Sequence, residues 1–299
     1  MLLPRATLPP VRQTFGLFAS GVCAVLASAL IPGAVVGQRG SRAVSLAIQP
    51  RVGDTIRTRI DQRMQVTVTR RAASSDTSLT MTSSMTVLSR NIVQMVDDSG
   101  ATVLIITDSV AVSESGIAGM PVPEDLIRAL QGKRMRMRMT REGSAKLLDS
   151  PDLLAQGAQS FVSQMPAMLP ARRVAPGDTW SHAMTIPITG QPEAGGTGTI
   201  YAVFRLDSLT SSGDRAFISM RGTVDRDSSA AEMAEGVTRA SSGSVSGSLQ
   251  FDRKRGWLSD AETTILVKSV LHKASAPNQA PMRFQIRVTQ RIRTAKKAW

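Results

Sequence analysis

Between positions 54 and 70 the chain alternates apolar and polar residues with a period of two, which a strand with one buried and one wet face accommodates and a helix does not. Ile56, Ile60, Met64, Val66 and Val68 fall on one side; Arg57, Arg59, Asp61, Arg63 and Thr67 fall on the other. One wet face argues for antiparallel pairing, because parallel strands are usually buried on both sides. Leu79, Met81, Met85 and Val87 continue the pattern, and Leu88 shifts it by one residue, as a bulge does. Met135, Met137 and Met139 alternate with Arg134, Arg136 and Arg138, so three methionines point inward and three arginines outward. A final alternating run sets Met282, Phe284, Ile286, Val288 and Ile292 against Arg283, Arg287, Thr289, Arg291 and Arg293.

These runs form two series, each opened by the same turn chemistry. Val52-Gly53-Asp54-Thr55 precedes the first, and Val174-Ala175-Pro176-Gly177-Asp178-Thr179-Trp180 precedes the second. Pro and Gly punctuate the turn, and Asp and Thr offer polar groups to its backbone. Asp97-Asp98-Ser99-Gly100 and Ser211-Ser212-Gly213-Asp214 read as hairpin turns, and 225–243 reads as a polar loop. Two stretches carry helical spacing. One lies near 124–131, with Leu126, Ile127 and Leu130 apolar and Gly132 as its stop; the other, 151–165, follows a capping Ser150. The expected fold is mainly β with α (α+β): two similar halves, 38–170 and 171–299, of long antiparallel strands. They form curled, half-barrel-like sheets with one or two helices packed on the concave side.

Of 299 residues, 42% are hydrophobic and 20% charged, enough to bury a core; aromatics are 4% against 15 Met, so that core is adaptable rather than sharply specified. The net charge of +13 raises nucleic acid as a partner. The arginines, however, alternate along strands instead of forming a basic run, which reads as a solvated face and not as a nucleic-acid surface. Residues 1–37 read as a signal peptide: Arg5 and Arg12, an apolar centre through Phe18, Val22, Leu26 and Leu30, a Pro32-Gly33 break, and small residues before Gln38. Cleavage would leave no stable membrane span and would remove Cys23, the only cysteine, so no disulfide is expected. The expected location is exported: periplasm or cell envelope, or secreted.

Groups for catalysis are sparse. His182 and His272 stand alone on strand patterns, without a His-Glu-x-x-His spacing, and are expected to be structural or exposed. No Ser occupies a Gly-x-Ser-x-Gly elbow, and Asp225, Asp227, Glu232 and Glu235 do not match a calcium loop. No enzyme activity, cofactor or metal is therefore expected. The methionines carry more information, because unbranched thioether chains reshape around varied apolar ligands. Met64, Met81, Met85, Met135, Met137 and Met139, with Leu154, Phe161, Met165 and Trp180, are the candidate ligand-binding residues.

The Gly177-Asp178-Thr179-Trp180 turn and the Phe251-Asp252-Arg253-Lys254-Arg255-Gly256-Trp257-Leu258 hairpin resemble those of a group of uncharacterised exported bacterial β-rich proteins, over about 45–295. A curled sheet with a helix on its concave face is also similar, at the level of fold alone, to the periplasmic lipoprotein carriers. The expectation is a non-enzymatic envelope protein holding an apolar ligand or lipid between sheet and helix. The alternative is a structural or interaction module whose Arg-rich strand faces meet an anionic envelope surface or a partner protein.

Overall fold

The structure, a computed structural model, describes residues 43–71, 76–115, 131–149, 167–187, 197–226, 237–273 and 281–295. The first series of strands is β1 (Thr55–Arg71), β2 (Asp76–Asp97), β3 (Gly100–Ser115), β4 (Arg134–Thr140) and β5 (Ala145–Asp149). The second is β6 (Thr179–Pro187), β7 (Thr197–Leu209), β8 (Arg215–Arg226), β9 (Val237–Asp252), β10 (Trp257–Lys273) and β11 (Met282–Ala295).

All eleven lie in one sheet, in the order β5-β4-β3-β2-β1-β11-β10-β9-β8-β7-β6. Every neighbouring pair is antiparallel. Among the described residues, strands consecutive in sequence pair throughout except β5 and β6, and the one pairing between strands distant in sequence is that of β1 with β11. The reason is in the residues: pairing Ile60 with Ile292, Met64 with Val288, Val66 with Ile286 and Val68 with Phe284 sets apolar side chains against apolar ones, and Gln62 against Gln290, on one face. The two series thus fuse through their outermost strands in sequence, and β5 and β6 are left as the edges.

The sheet curls. Laid flat, its edge strands would lie roughly 48 Å apart at the usual strand spacing. Yet Ile48 N donates to Arg141 O in the β4–β5 turn (2.8 Å), and Val44 N donates to Val174 O just before β6 (2.7 Å). The stretch 44–48 can reach no more than about 14 Å, so the two edges approach each other at this end. Gln49 N, donating to Gly256 O (2.9 Å), pins the same stretch to the β9–β10 turn. Residues 168 and 169 complete the link. Their amides donate to Glu142 O (2.8 and 2.9 Å), and the Trp180 indole donates to Met168 O (3.0 Å). At Gly222 and Gly247 a Cβ would lie 2.2 Å from Tyr201 O and 2.4 Å from Glu262 O, the close backbone approach of a tight bend.

The two opening turns have one geometry. Gly53 and Gly177 both take positive φ, and the Asp54 and Asp178 carboxylates accept from Arg51 N and Ala175 N. Gly53 N and Asp54 O clasp Val93 of β2, as Gly177 N and Asp178 O clasp Leu206 of β7. Each clasped residue is followed by a register shift, between Val93 and Met95 and between Leu206 and Ser208. The paired series are repeats down to this bulge. The earlier shift expected at Leu88 is also present, between Leu88 and Ser89.

The core sits at the end that carries these turns. Val44, Leu46, Ile48, Leu169 and Val174 pack with Val93, Val103, Met137 and Met139 from one wing and Phe204, Leu206, Ile218 and Phe251 from the other.

Two expectations need correction. The fold is not α+β with two half-barrel sheets: among the described residues there is no helix, and a single open antiparallel sheet holds every strand. The matching alternation of β1 and β11 joins what the turn pattern had separated. The loop expected over 225–243 is also shorter, because β9 already begins at Val237. Thr238, Arg239, Ser241, Ser242 and Gly243 have no apolar alternation of their own and are strand because β10 pairs with them. The helix expected over 151–165 lies outside the described residues, and so does that near 124–131 except its last position, a turn.

Candidate ligand-binding face

Register decides which side chains share a face, because directly paired residues point the same way. Val87, Ile60, Ile292, Ala261, Leu249, Ile218 and Leu206 form one inward row across β2, β1, β11, β10, β9, β8 and β7. Met64, Val288, Ile265 and Val245 form another, followed by Met81, Val66, Ile286 and Val267, and then by Leu79, Val68 and Phe284. On the first wing, Ile105 pairs with Met135, Val103 with Met137 and Ala101 with Met139.

The six strand methionines singled out above therefore share the inward face, but at two different depths. Met137 and Met139 are buried, 7% and 6% exposed, under the stretch 44–48, whereas Met64 is 39% exposed. Met81, Met85 and Met135 are half-buried. Trp180 belongs to the closed end: it stacks on Phe204 with ring centroids 5.8 Å apart and bonds Met168 O. His182 packs edge-on against the same Phe204 and bonds Leu169 O at 3.2 Å, a structural placement. Leu154, Phe161 and Met165 lie outside the described residues.

A polar patch on this face escaped the sequence reading. Thr58 pairs with Ser89, and Ser89 with Thr107; all three are buried, as is Asn91 one row on. Asn91 Nδ2 donates to Thr58 Oγ1 at 2.7 Å. The only sequence hint was that Thr58 interrupts the apolar positions of β1, with no local sign of which strand it faces.

The opposite face is charged. Asp61 accepts from Arg59 (2.9 Å), Arg293 (2.9 Å) and Thr86 (2.9 Å). The Arg59 hydrogen bond, reinforced by Arg293 and Thr86 against partial burial, lowers its carboxyl to about 2. Asp97 is likewise lowered to about 2, by the Ser99 hydroxyl and then by Arg138. Arg291 bonds Asp260 at 3.1 Å and Arg90 bonds Asp108 at 2.8 Å.

At the turn end lies a cavity of about 380 Å³, lined by Arg51, Asp54, Asp214, Arg215, Asp252, Lys254 and Arg255. Its carboxylates are engaged: Asp54 with Arg51 N, Asp252 with Arg255 N, and Asp214 with Lys254. This is turn chemistry rather than a catalytic array. Among the described residues no cluster of His, Cys, Asp and Glu is placed to hold a metal; Asp227, Glu232 and Glu235 lie outside them.

Fold and faces together define the class: among the described residues, an all-β antiparallel sheet protein with a mainly apolar concave side, broken by polar rows, and a basic convex side. Residues 155–258, about a third of the chain, match the profile of a family of unknown function (DUF6263). That agrees with the resemblance to uncharacterised proteins. No curated protein matches the chain. Among solved structures, the outer membrane protein OprG from Pseudomonas aeruginosa is 8% identical with a TM-score of 0.20, over 83% of this chain and 99% of that one. The COG4313 outer membrane channel from Pseudomonas putida F1 is 11% identical with a TM-score of 0.27, over 83% and 97%. A DUF1329 family protein from Desulfovibrio piger ATCC 29098 is 8% identical with a TM-score of 0.13, over 78% and 85%. At these scores the likenesses carry no functional argument.

Proposed function

We propose that this is an exported envelope protein that binds an apolar ligand, such as a lipid or acyl chain, on the concave face of its sheet. One observation carries the reading: the apolar inward rows continue past the packed end. The stretch 44–48 and residues 169 and 174 fill the concave face near the turns, yet Met64 and Leu79 farther along remain 39% and 37% exposed. Apolar surface left facing inward on a curled sheet is stabilised by any chain that covers it, at about 25 cal/mol per Å². Methionine suits a covering of variable shape. Export is the reading of residues 1–37, with their basic start and apolar centre.

The role is binding rather than catalysis. The inward rows are mainly apolar, and the polar groups among them, Ser83 beside Met64, Ser269 beside Phe284 and the row of Gln62, Gln290 and Thr263, are hydroxyls and amides rather than carboxylates or imidazoles. A membrane-spanning barrel fits the faces poorly, because such barrels turn an apolar band outward. Here the outward side of β1 carries Arg57, Arg59, Asp61 and Arg63, and each arginine facing lipid near the midplane would cost about 2–4 kcal/mol.

Native mass spectrometry of the purified mature protein tests this. The expected spectrum shows a co-purifying lipid mass, which organic extraction removes and which Met81→Glu abolishes by placing a charge on the apolar face. A clean apo mass, together with no saturable uptake of a hydrophobic fluorescent probe, overturns the reading.

A further inference from the structure

The convex face divides along its length. Near the turns three of its arginines are matched, Arg59 and Arg293 with Asp61 and Arg291 with Asp260, whereas Arg57 makes no ion pair among the described residues. Beyond the row of Asp61, Arg291 and Glu262, the three central strands carry no acidic residue in the rest of β1, β10 or β11. Cations continue there. Arg63 of β1, Arg287 and Arg283 of β11 and Lys268 of β10 are all exposed, and none makes an ion pair among the described residues. Register puts them on one face: Arg287 pairs with Gln65, Lys268 with Gln285 opposite Thr67, and Arg283 with Thr69. Each step, one strand across and two residues along, is about 8 Å, so the four form a continuous zigzag.

Two features say what this zigzag meets. β11 is the central strand of the order, so the cations lie along the middle of the convex side, the part of a curled sheet that touches a flat surface first. They are also interleaved with apolar side chains: Leu266 pairs with Arg287, and Val270 with Arg283. A soluble polyanion needs only the charges, whereas an interface of charged headgroups over acyl chains uses both.

We propose that this strip docks the protein on a bilayer surface bearing anionic phospholipid headgroups. The proposal stands apart from the concave face and holds whether or not that face binds a ligand.

The test is flotation with vesicles of phosphatidylcholine, with or without a third of phosphatidylglycerol. The wild-type chain is expected to float with the anionic vesicles at least about tenfold better than with the neutral ones, and to be released between roughly 50 and 500 mM NaCl. The fourfold variant Arg63→Gln, Lys268→Gln, Arg283→Gln, Arg287→Gln is expected to lose at least about tenfold in vesicle affinity. The comparison variant Lys133→Gln, Arg134→Gln, Lys146→Gln, Arg215→Gln removes the same charge from the first wing and the turn end and is expected to lose less than about threefold. Thermal melts establish that both variants fold, and the salt titration of the wild type needs no variant. Equal weakening of the two variants overturns the proposal in favour of bulk charge. Absence of vesicle binding overturns it too, as does binding confined to a soluble polyanion such as dextran sulfate.

Discussion

Asp61 ties three strands at one point: Arg59 on its own strand, Thr86 on β2 and Arg293 on β11 all donate to it. Because Arg293 belongs to the last strand and Asp61 to the first, this carboxylate fastens the junction that joins the two series. Its folded value of about 2 lies below the unfolded value near 3.8. The stabilisation it provides is therefore present above about pH 4 and is lost as the pH falls towards 2. The side chain is 30% exposed, so solvent screening reduces the worth of the shift to about 1 kcal/mol. Asp61→Asn should lower the melting temperature at neutral pH and flatten the acid limb of the stability curve between pH 4 and 2. A variant whose pH profile runs parallel to the wild type would show that Asp61 is not a contributor.

At the scale of elements, the stretch 44–48 acts as a strap across the sheet's packed end rather than as a strand of it. With Gln49 its backbone hydrogen bonds reach three separate turns or edges, and Leu46 and Ile48 are 1% and 3% exposed. Leu46→Ala should cost about 2–5 kcal/mol, the usual range for a buried leucine. Met64→Ala, on the half-open part of the same face, should cost under about 1 kcal/mol. Denaturant unfolding distinguishes them, and equal losses would mean that the apolar rows are packed along their whole length. The strands whose alternation is strong were legible in the sequence: Ile56 to Val68 on β1, the Arg and Met run of β4, and Phe284 to Ile292 on β11. The opening turns at Gly53-Asp54 and Gly177-Asp178 were legible because their chemistry is local. The meeting of β1 with β11 was not, since nothing near Met64 names Val288 as its partner. Nor were β9's polar start and the strap, whose strand or packed character is conferred by neighbours distant in sequence. The inward methionines were predictable from periodicity, but their split into buried Met137 and exposed Met64 depends on where residues 44–48 cross.

For the whole molecule, the consequence is a sheet of uneven stability. Core residues from both wings converge at the turn end, where the strap and residues 168–174 hold the edges together. Farther along, β1, β2 and β11 keep their ladder hydrogen bonds, but their inward side chains are only half-covered. Local opening is governed by such covering, so amide protection should fall from one end of the sheet to the other. Hydrogen exchange is expected to be slowest in 91–93, 101–103, 204–206 and 249–251. It should be markedly faster in 64–70, 77–85 and 282–286, although all are strand. An apolar ligand on the concave face would cover that second group, so loading should slow exchange there and leave the first group unchanged, as linkage requires of a ligand that binds only the closed form. Uniform protection in the ligand-free protein would mean that the far rows are already covered. Slowing confined to the turn end would move the binding face to the cavity lined by Arg51 and Arg215.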